Sequence, residues 1–121
     1  MSRDAQSLFI EYLQLQKDAN ILILEGGDGW LAIQLARLVP DGRILSLSRD
    51  IRDIMTAQIR LEDVATADAS QAVFPHSTGW DIVLLTIPKE RRFARTLLLA
   101  AWDALKPGGQ LLLAGPSKGG A

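Results

Sequence analysis

The fold of this chain is decided by ILILEGGDGW, residues 21–30. Four aliphatic residues followed by Glu25 are typical of a strand buried on both faces of a parallel sheet. The three glycines that follow let the backbone turn tightly and approach a ligand closely, because they carry no Cβ. Residues 30–38, WLAIQLARL, have the composition of a packed helix. Strand, glycine loop and helix together predict the nucleotide-binding corner of a doubly wound α/β fold.

Strands and helices alternate along the rest of the chain, which predicts a mostly parallel sheet with helices on both faces. We expect one α/β domain over residues 1–115, truncated after its fifth strand, and a flexible tail at 116–121. On the last helix an apolar stripe from Phe93 to Leu105 is widened by Leu98 and Trp102, which predicts core positions. The predicted helices are 4–17, 30–38, 50–59 and 90–105, and the predicted strands are 21–24, 43–48, 80–87 and 110–114, with a short edge strand at 64–66.

The composition limits the functional classes to which this protein can belong. Thirteen basic and fourteen acidic residues give a net charge of −1, so no overall field favours nucleic acid or membrane as a partner. The chain has no cysteine, which excludes disulfides, cysteine-based metal sites and thiol nucleophiles. The single histidine, His76, argues against a histidine-rich metal site and a catalytic triad, so we expect no metal. Met1–Asp4 lacks the pattern of a secretory signal, and no apolar run approaches the roughly 20 residues of a membrane span. We therefore expect a cytoplasmic protein.

Three motifs occur in a recognisable order. Glu25–Gly29 matches an acidic-x-Gly-x-Gly loop, Trp80–Leu84 is an aromatic-Asp pair followed by aliphatic residues, and Leu105–Leu111 contains Leu-Lys-Pro-Gly-Gly. With these motifs the chain resembles the class I S-adenosylmethionine-dependent methyltransferases over about residues 5–115. The resemblance implies a Rossmann-like fold and S-adenosylmethionine as cofactor. The cofactor-binding residues that it implies are Glu25, Gly26, Gly27, Asp28, Gly29, Trp30, Ser48 and Asp50.

The chain also departs from the family pattern. Ser48 stands where the family has the acidic residue that holds the cofactor's ribose, and Asp50, two positions later, could replace it or suit a helix N-terminus. Trp30 lies beside the position of the family's third glycine, where it could cover the adenine or fill its space. Thr86–Lys89 replaces the Asn-Pro-Pro-aromatic motif of amino-methylating members. The sequence therefore identifies no catalytic residue and leaves catalytic competence open.

A narrower resemblance concerns two segments. Ile87–Glu90 and the Gly-rich residues 114–120 resemble the N-terminal, non-catalytic half of the ribosomal RNA guanine-N2 methyltransferases. This resemblance implies RNA or a second methyltransferase domain as partner. A basic cluster of Lys89, Arg91, Arg92 and Arg95 could contact RNA phosphates or form a solvated helix face.

Two alternatives from other functional classes stay open. The first is a non-catalytic scaffold or dimerisation module of the same fold, in which an uncovered sheet edge favours a homodimer. The second is an NAD(P)-binding domain, because Gly27–Ala32 also satisfies Gly-x-Gly-x-x-Ala. In that reading Asp50 lies near the position of the acidic residue that binds the ribose.

Overall fold

The structure is a computed structural model that describes Gln6, Phe9, Ile10 and residues 13–115. Gln6, Phe9 and Ile10 are helical. Residues 13–115 form five strands and three helices. The strands are β1 Asn20–Leu24, β2 Arg43–Ser48, β3 Ala67–Gln71, β4 Trp80–Thr86 and β5 Leu105–Ala114, and the helices are α1 Trp30–Ala36, α2 Ile51–Arg60 and α3 Arg91–Ala104.

The five strands form one parallel sheet in the order β3-β2-β1-β4-β5. From β1 the chain winds outward through β2 to β3, and it then returns to the other side of β1 for β4 and β5. The direction of winding reverses between β1 and β4, which is the topological switch point of a doubly wound fold. The predicted fold class is confirmed. The predicted tail at 116–121 lies outside the described residues.

β1 lies at the buried centre of the sheet. Its residues 21–24 are at most 1% exposed. Its odd-numbered aliphatic side chains pack in a cluster with Leu35 of α1, and its even-numbered ones pack on the opposite face with Leu97 of α3. Each fully buried aliphatic side chain stabilises the fold by about 1.5–3 kcal/mol. The apolar run that predicted β1 is thus what allows both faces of the sheet to be covered.

The predicted first helix and the predicted edge strand are placed wrongly. Residues 13–16 have no helical structure, so a helix running from 4 to 17 is wrong at its carboxyl end. Residues 64–66 form turns, in which Val64 N–H donates to Leu61 and Ala67 N–H donates to Val64. The edge strand is β3, three residues later, and its register on β2 is Ile44 opposite Ala67. Its sequence, ADASQ, has too little apolar character to predict a strand.

Helix α3 packs through a narrower face than the sequence predicts. Leu97 and Ala101 are fully buried, whereas Leu98 and Trp102 are exposed, Trp102 by 67% of its surface. The prediction that Trp102 belongs to the core is therefore wrong. With 14 residues, α3 is about 21 Å long. None of the helices in the described part of the chain has the length and apolar character to cross a membrane.

Asp81 joins three segments at the amino-terminal edge of the sheet. Trp80 pairs with Leu105 and Ile82 pairs with Gln110, so the four residues 106–109 bulge opposite Asp81. Lys106 forms an ion pair with Asp81, and Asn20 N–H donates to Asp81 Oδ2 at 2.7 Å. The hydrogen bond from Lys106 lowers the pKa of Asp81. The aromatic-Asp and Pro-Gly-Gly motifs thus meet in a structural contact at the edge opposite the glycine loop.

Candidate cofactor-binding site

The candidate site lies at the carboxyl-terminal edge of the sheet, beside the switch point. Glu25 follows β1 directly, Ser48 ends β2, and Ile87 follows β4. Ligands of doubly wound folds bind in the crevice at this edge. The residues predicted from the glycine loop and from the end of β2 are therefore on the same edge.

The glycine loop is fixed from two sides. Gly26 N–H donates to Leu47 O of β2 at 2.8 Å, and Gln6 Nε2 donates to Gly26 O at 3.1 Å. Gln6 is 3% exposed, so its amide forms a buried hydrogen bond with the loop. The loop backbone is left-handed at Glu25, with φ of 56°, and at Gly27, with φ of 71°. A non-glycine residue with positive φ is uncommon, and such strain often accompanies a functional site.

Two of the loop glycines are required by contacts within the protein. A Cβ on Gly26 would lie 2.0 Å from Ser46 Oγ, and a Cβ on Gly29 would lie 2.8 Å from Ala57 Cα on α2. Gly29 also has φ of 89°, which L side chains rarely adopt. Packing alone therefore accounts for Gly26 and Gly29, whatever the loop binds.

Glu25 is paired with an arginine from the next strand. Arg49, which follows β2, donates from Nη2 to Glu25 Oε1 at 2.5 Å and from Nε to Oε2 at 3.3 Å. The guanidinium also lies 4.2 Å from the centroid of the Phe93 ring on α3. Residues from three segments of the sheet's carboxyl edge therefore meet at Arg49. Neither Arg49 nor Gln6 is among the predicted site residues, although a charged residue directly after a buried strand was a usable signal for Arg49.

Asp28 and Trp30 are occupied by local contacts. Trp30 N–H donates to Asp28 Oδ1 at 3.1 Å, and the Asp28 carboxylate lies 3.6 Å from Arg60 of α2. The Trp30 side chain is half-buried and packs against the core cluster that contains Leu35. Both side chains thus hold the loop against α1 and α2.

The two residues predicted at the end of β2 have different surroundings. Ser48 is buried at 4% exposure, within the pairing of β2 with β3. Asp50 is the N-cap of α2, and its Oδ1 accepts from Arg52 N–H at 2.8 Å. A further hydrogen bond from the Arg52 side chain lowers the pKa of Asp50. The helix N-terminal role that the sequence allowed for Asp50 is present in the structure.

The basic cluster borders the same edge. Glu90 caps α3 by accepting from Arg92 N–H and Phe93 N–H. Lys89, Arg91, Arg92 and Arg95 are exposed and form no ion pair within the described residues. The three arginines and Thr96 line a concavity of about 290 Å³. Among the described residues, no three His, Cys, Asp or Glu side chains lie close enough together to hold a metal ion.

Comparisons with known proteins identify the fold. Neither a protein-family model nor a curated protein sequence matches the chain. Solved methyltransferase structures do match in three dimensions. Coclaurine N-methyltransferase bound to N-methylheliamine and S-adenosylhomocysteine superposes with a TM-score of 0.77 at 17% identity over 92% of the chain. Precorrin-6y C5,15-methyltransferase from Geobacter metallireducens gives 0.77 at 19% identity over 93% of the chain.

The S-adenosylmethionine-dependent methyltransferase SibL, in its apo form, gives a TM-score of 0.75 at 24% identity over 93% of the chain. The chain spans 34%, 62% and 35% of the lengths of these three proteins, respectively. The chain therefore has the Rossmann-like fold of the class I S-adenosylmethionine-dependent methyltransferases, as the ordered motifs predicted.

Proposed function

We propose that this domain binds S-adenosylmethionine at the carboxyl-terminal edge of its sheet. The observation that carries the proposal is the position of Glu25, a carboxylate with 12% of its side chain exposed, directly after the central strand at the switch point. Support also comes from structural neighbours that contain S-adenosylhomocysteine. Glu25 can accept hydrogen bonds from hydroxyl or ammonium groups, and Gly27 lets a ligand approach the loop backbone closely.

In this proposal the chain's own residues bind and orient the cofactor. When bound, S-adenosylmethionine supplies an electrophilic methyl group. Glu25 and the loop backbone hold the nucleoside end, Ser48 and Asp50 border it from β2, and Trp30 limits the space beside α1. Methyl transfer depends largely on positioning, so a domain of this kind needs no strong acid or base of its own. No side chain is assigned as a catalytic base.

We expect S-adenosylhomocysteine to bind with a dissociation constant in the micromolar range, and NAD to show no binding at millimolar concentration. Isothermal titration calorimetry measures both affinities. In amide spectra of the labelled protein, the signals of residues 25–30 and 48–50 should shift during the titration. The signals of Gly42 and Asp81, at the opposite edge of the sheet, should not shift. Shifts confined to other surfaces, or NAD binding tighter than S-adenosylhomocysteine, would contradict the proposed site.

A second candidate function is a non-catalytic module that self-associates. The outer side of β5 pairs with no strand in the described chain. On one face of this edge, Leu113 lies on the same side of the sheet as α3, where Leu98, Leu99 and Trp102 are also exposed. Exposed apolar side chains beside an open strand favour association with another strand. If both cofactors fail to bind, sedimentation of the same sample tests this candidate, and a monomer at high concentration removes it.

We further propose RNA as a partner of this domain, as the narrower resemblance implies. The cations of the basic cluster support this proposal, because they form no ion pair with any described residue and lie beside the candidate site on a protein of net charge −1. Arginine and lysine contacts with phosphates give affinity that does not depend on sequence but falls with salt. The cluster is thus placed to hold a polyanion next to a bound cofactor.

Changing Arg91 and Arg95 to Gln together should weaken binding of a single-stranded RNA on the order of tenfold at low salt. The slope of log affinity against log salt should also become shallower, by about 0.7 for each lost phosphate contact. Fluorescence anisotropy over a salt series measures both quantities. The matched control is Lys17→Gln with Arg37→Gln, which removes the same charge from exposed positions elsewhere. Equal weakening in both double variants would show that the cluster has no specific role.

A further inference from the structure

Arg49 lies at the carboxyl-terminal edge of the sheet, where it contacts Glu25 of the candidate site. Its backbone is held from β3, because Gln71 Nε2 donates to Arg49 O at 3.0 Å. Its side chain crosses to β1, where both carboxylate oxygens of Glu25 accept from it. The Phe93 ring, 4.2 Å from the guanidinium, supports the side chain from α3. The contact therefore joins parts of the chain that follow β1, β2 and β4.

The two partners differ in their freedom to move. Glu25 is largely enclosed, with 12% of its side chain exposed, while 51% of the Arg49 side chain is exposed. The strained loop and its hydrogen bonds fix Glu25, whereas Arg49 has a long side chain open to solvent. A ligand that donates a hydrogen bond to Glu25 meets a carboxylate already engaged at both oxygens. Such a ligand competes with Arg49, because the guanidinium occupies one acceptor position on each oxygen and neutralises the charge of the carboxylate.

We propose that Arg49 is a latch that competes with the cofactor for Glu25. The proposal rests on the proposed function, since it concerns the same binding site. In the closed state, defined by the Glu25–Arg49 pair, the carboxylate is neutralised and one acceptor position on each of its oxygens is occupied. In the open state, Arg49 leaves Glu25 and the carboxylate accepts hydrogen bonds from the ligand. The apparent affinity is then reduced by the fraction of molecules that are closed.

The latch makes binding respond to salt in an unusual direction. A half-exposed ion pair is weakened by salt, because mobile ions screen the two charges. Raising the salt concentration therefore opens the latch and should tighten binding of S-adenosylhomocysteine. In a variant that lacks the positive charge of Arg49, salt should not tighten binding, because there is no ion pair to weaken.

Arg49→Gln removes the charge and should tighten S-adenosylhomocysteine binding roughly tenfold, if the latch is closed in about nine of ten molecules. Arg49→Lys keeps the charge but loses the two-point contact, and should give an intermediate affinity. The matched control is Arg43→Gln, because Arg43 lies over the Trp80 ring at the other end of β2, with its guanidinium 5.4 Å from the ring centroid. Calorimetry between roughly 0.05 and 0.5 M NaCl should show tighter binding with salt for the natural chain and for Arg43→Gln, but not for Arg49→Gln.

The outcomes separate the latch from the site itself. Equal or weaker binding by Arg49→Gln, with clear binding by the natural chain, overturns the latch and leaves the proposed function intact. If neither the natural chain nor Arg49→Gln binds S-adenosylhomocysteine, both proposals are overturned. A second readout is the Nε–H signal of Arg49, which should move when S-adenosylhomocysteine saturates the natural chain. An unmoved signal in the saturated protein shows that the pair persists, and it also overturns the latch.

Discussion

Gly29→Ala should lower the free energy of unfolding by about 3 kcal/mol or more. Two costs add at this position. The added Cβ would lie 2.8 Å from Ala57 Cα and 2.9 Å from Ala57 Cβ, so α2 has to move away from the loop. The residue must also keep φ of 89°, which costs an L residue about 1–2 kcal/mol. Urea denaturation followed by circular dichroism measures the change.

Gly79→Ala is the matched control, because it separates the two costs. Gly79 has φ of 84°, but a Cβ there meets no atom within 4 Å. Its substitution should therefore cost only the backbone part, about 1–2 kcal/mol. Equal losses in the two variants would show that the contact between Gly29 and α2 adds nothing.

Gly26→Ala should cost about 2–3 kcal/mol, and removing the Ser46 hydroxyl should recover much of that loss. The added Cβ would lie 2.0 Å from Ser46 Oγ, while its distance from the Ser46 Cβ is 3.3 Å. Ser46 is 1% exposed, and its hydroxyl has no hydrogen-bond partner among the described residues. Ser46→Ala alone should therefore be neutral, or stabilising by up to about 1 kcal/mol, since it removes a buried polar group without a partner.

A double-mutant cycle tests this contact directly. We expect a coupling energy of about 1–2 kcal/mol between Gly26→Ala and Ser46→Ala. The free energies of unfolding come from urea denaturation of the four proteins, with constant slopes as the check on two-state behaviour. Additive effects would mean that the loop moves as a unit and that the Ser46 hydroxyl does not clash with a Cβ at residue 26.

The sheet's centre could be predicted because its strands carry their own signal. The aliphatic runs in β1 and β4 are continuous, and both strands are buried on both faces. β3 could not be predicted in the same way, because its ADASQ sequence forms a strand only through its hydrogen bonds to β2. Trp102 shows the opposite error. Its helical spacing fits a core stripe, but no described part of the chain covers that face.

The position of the candidate site could be predicted from the sequence, but its contacts could not. The loop after β1 and the residues after β2 share one edge because parallel strands end there together. The pairing of Glu25 with Arg49, 24 positions later, depends on the register of β2 on β1 and on Phe93 from α3. The periodicity of a single segment carries no information on contacts among residues from three segments. The cofactor roles of Ser48, Asp50 and the loop remain predictions.

The place of β1 between β2 and β4 also determines when this edge can form during synthesis. The hydrogen bond from Asn20 to Asp81 spans 61 positions, and β1 has no partner on that side until β4 exists. Closing so long a segment is an entropic cost that slows folding. A nascent chain can pair β1, β2 and β3 early, but the Phe93 ring that supports Arg49 is made later still. The glycine loop therefore gains its complete surroundings only after Phe93 of α3 has been synthesised.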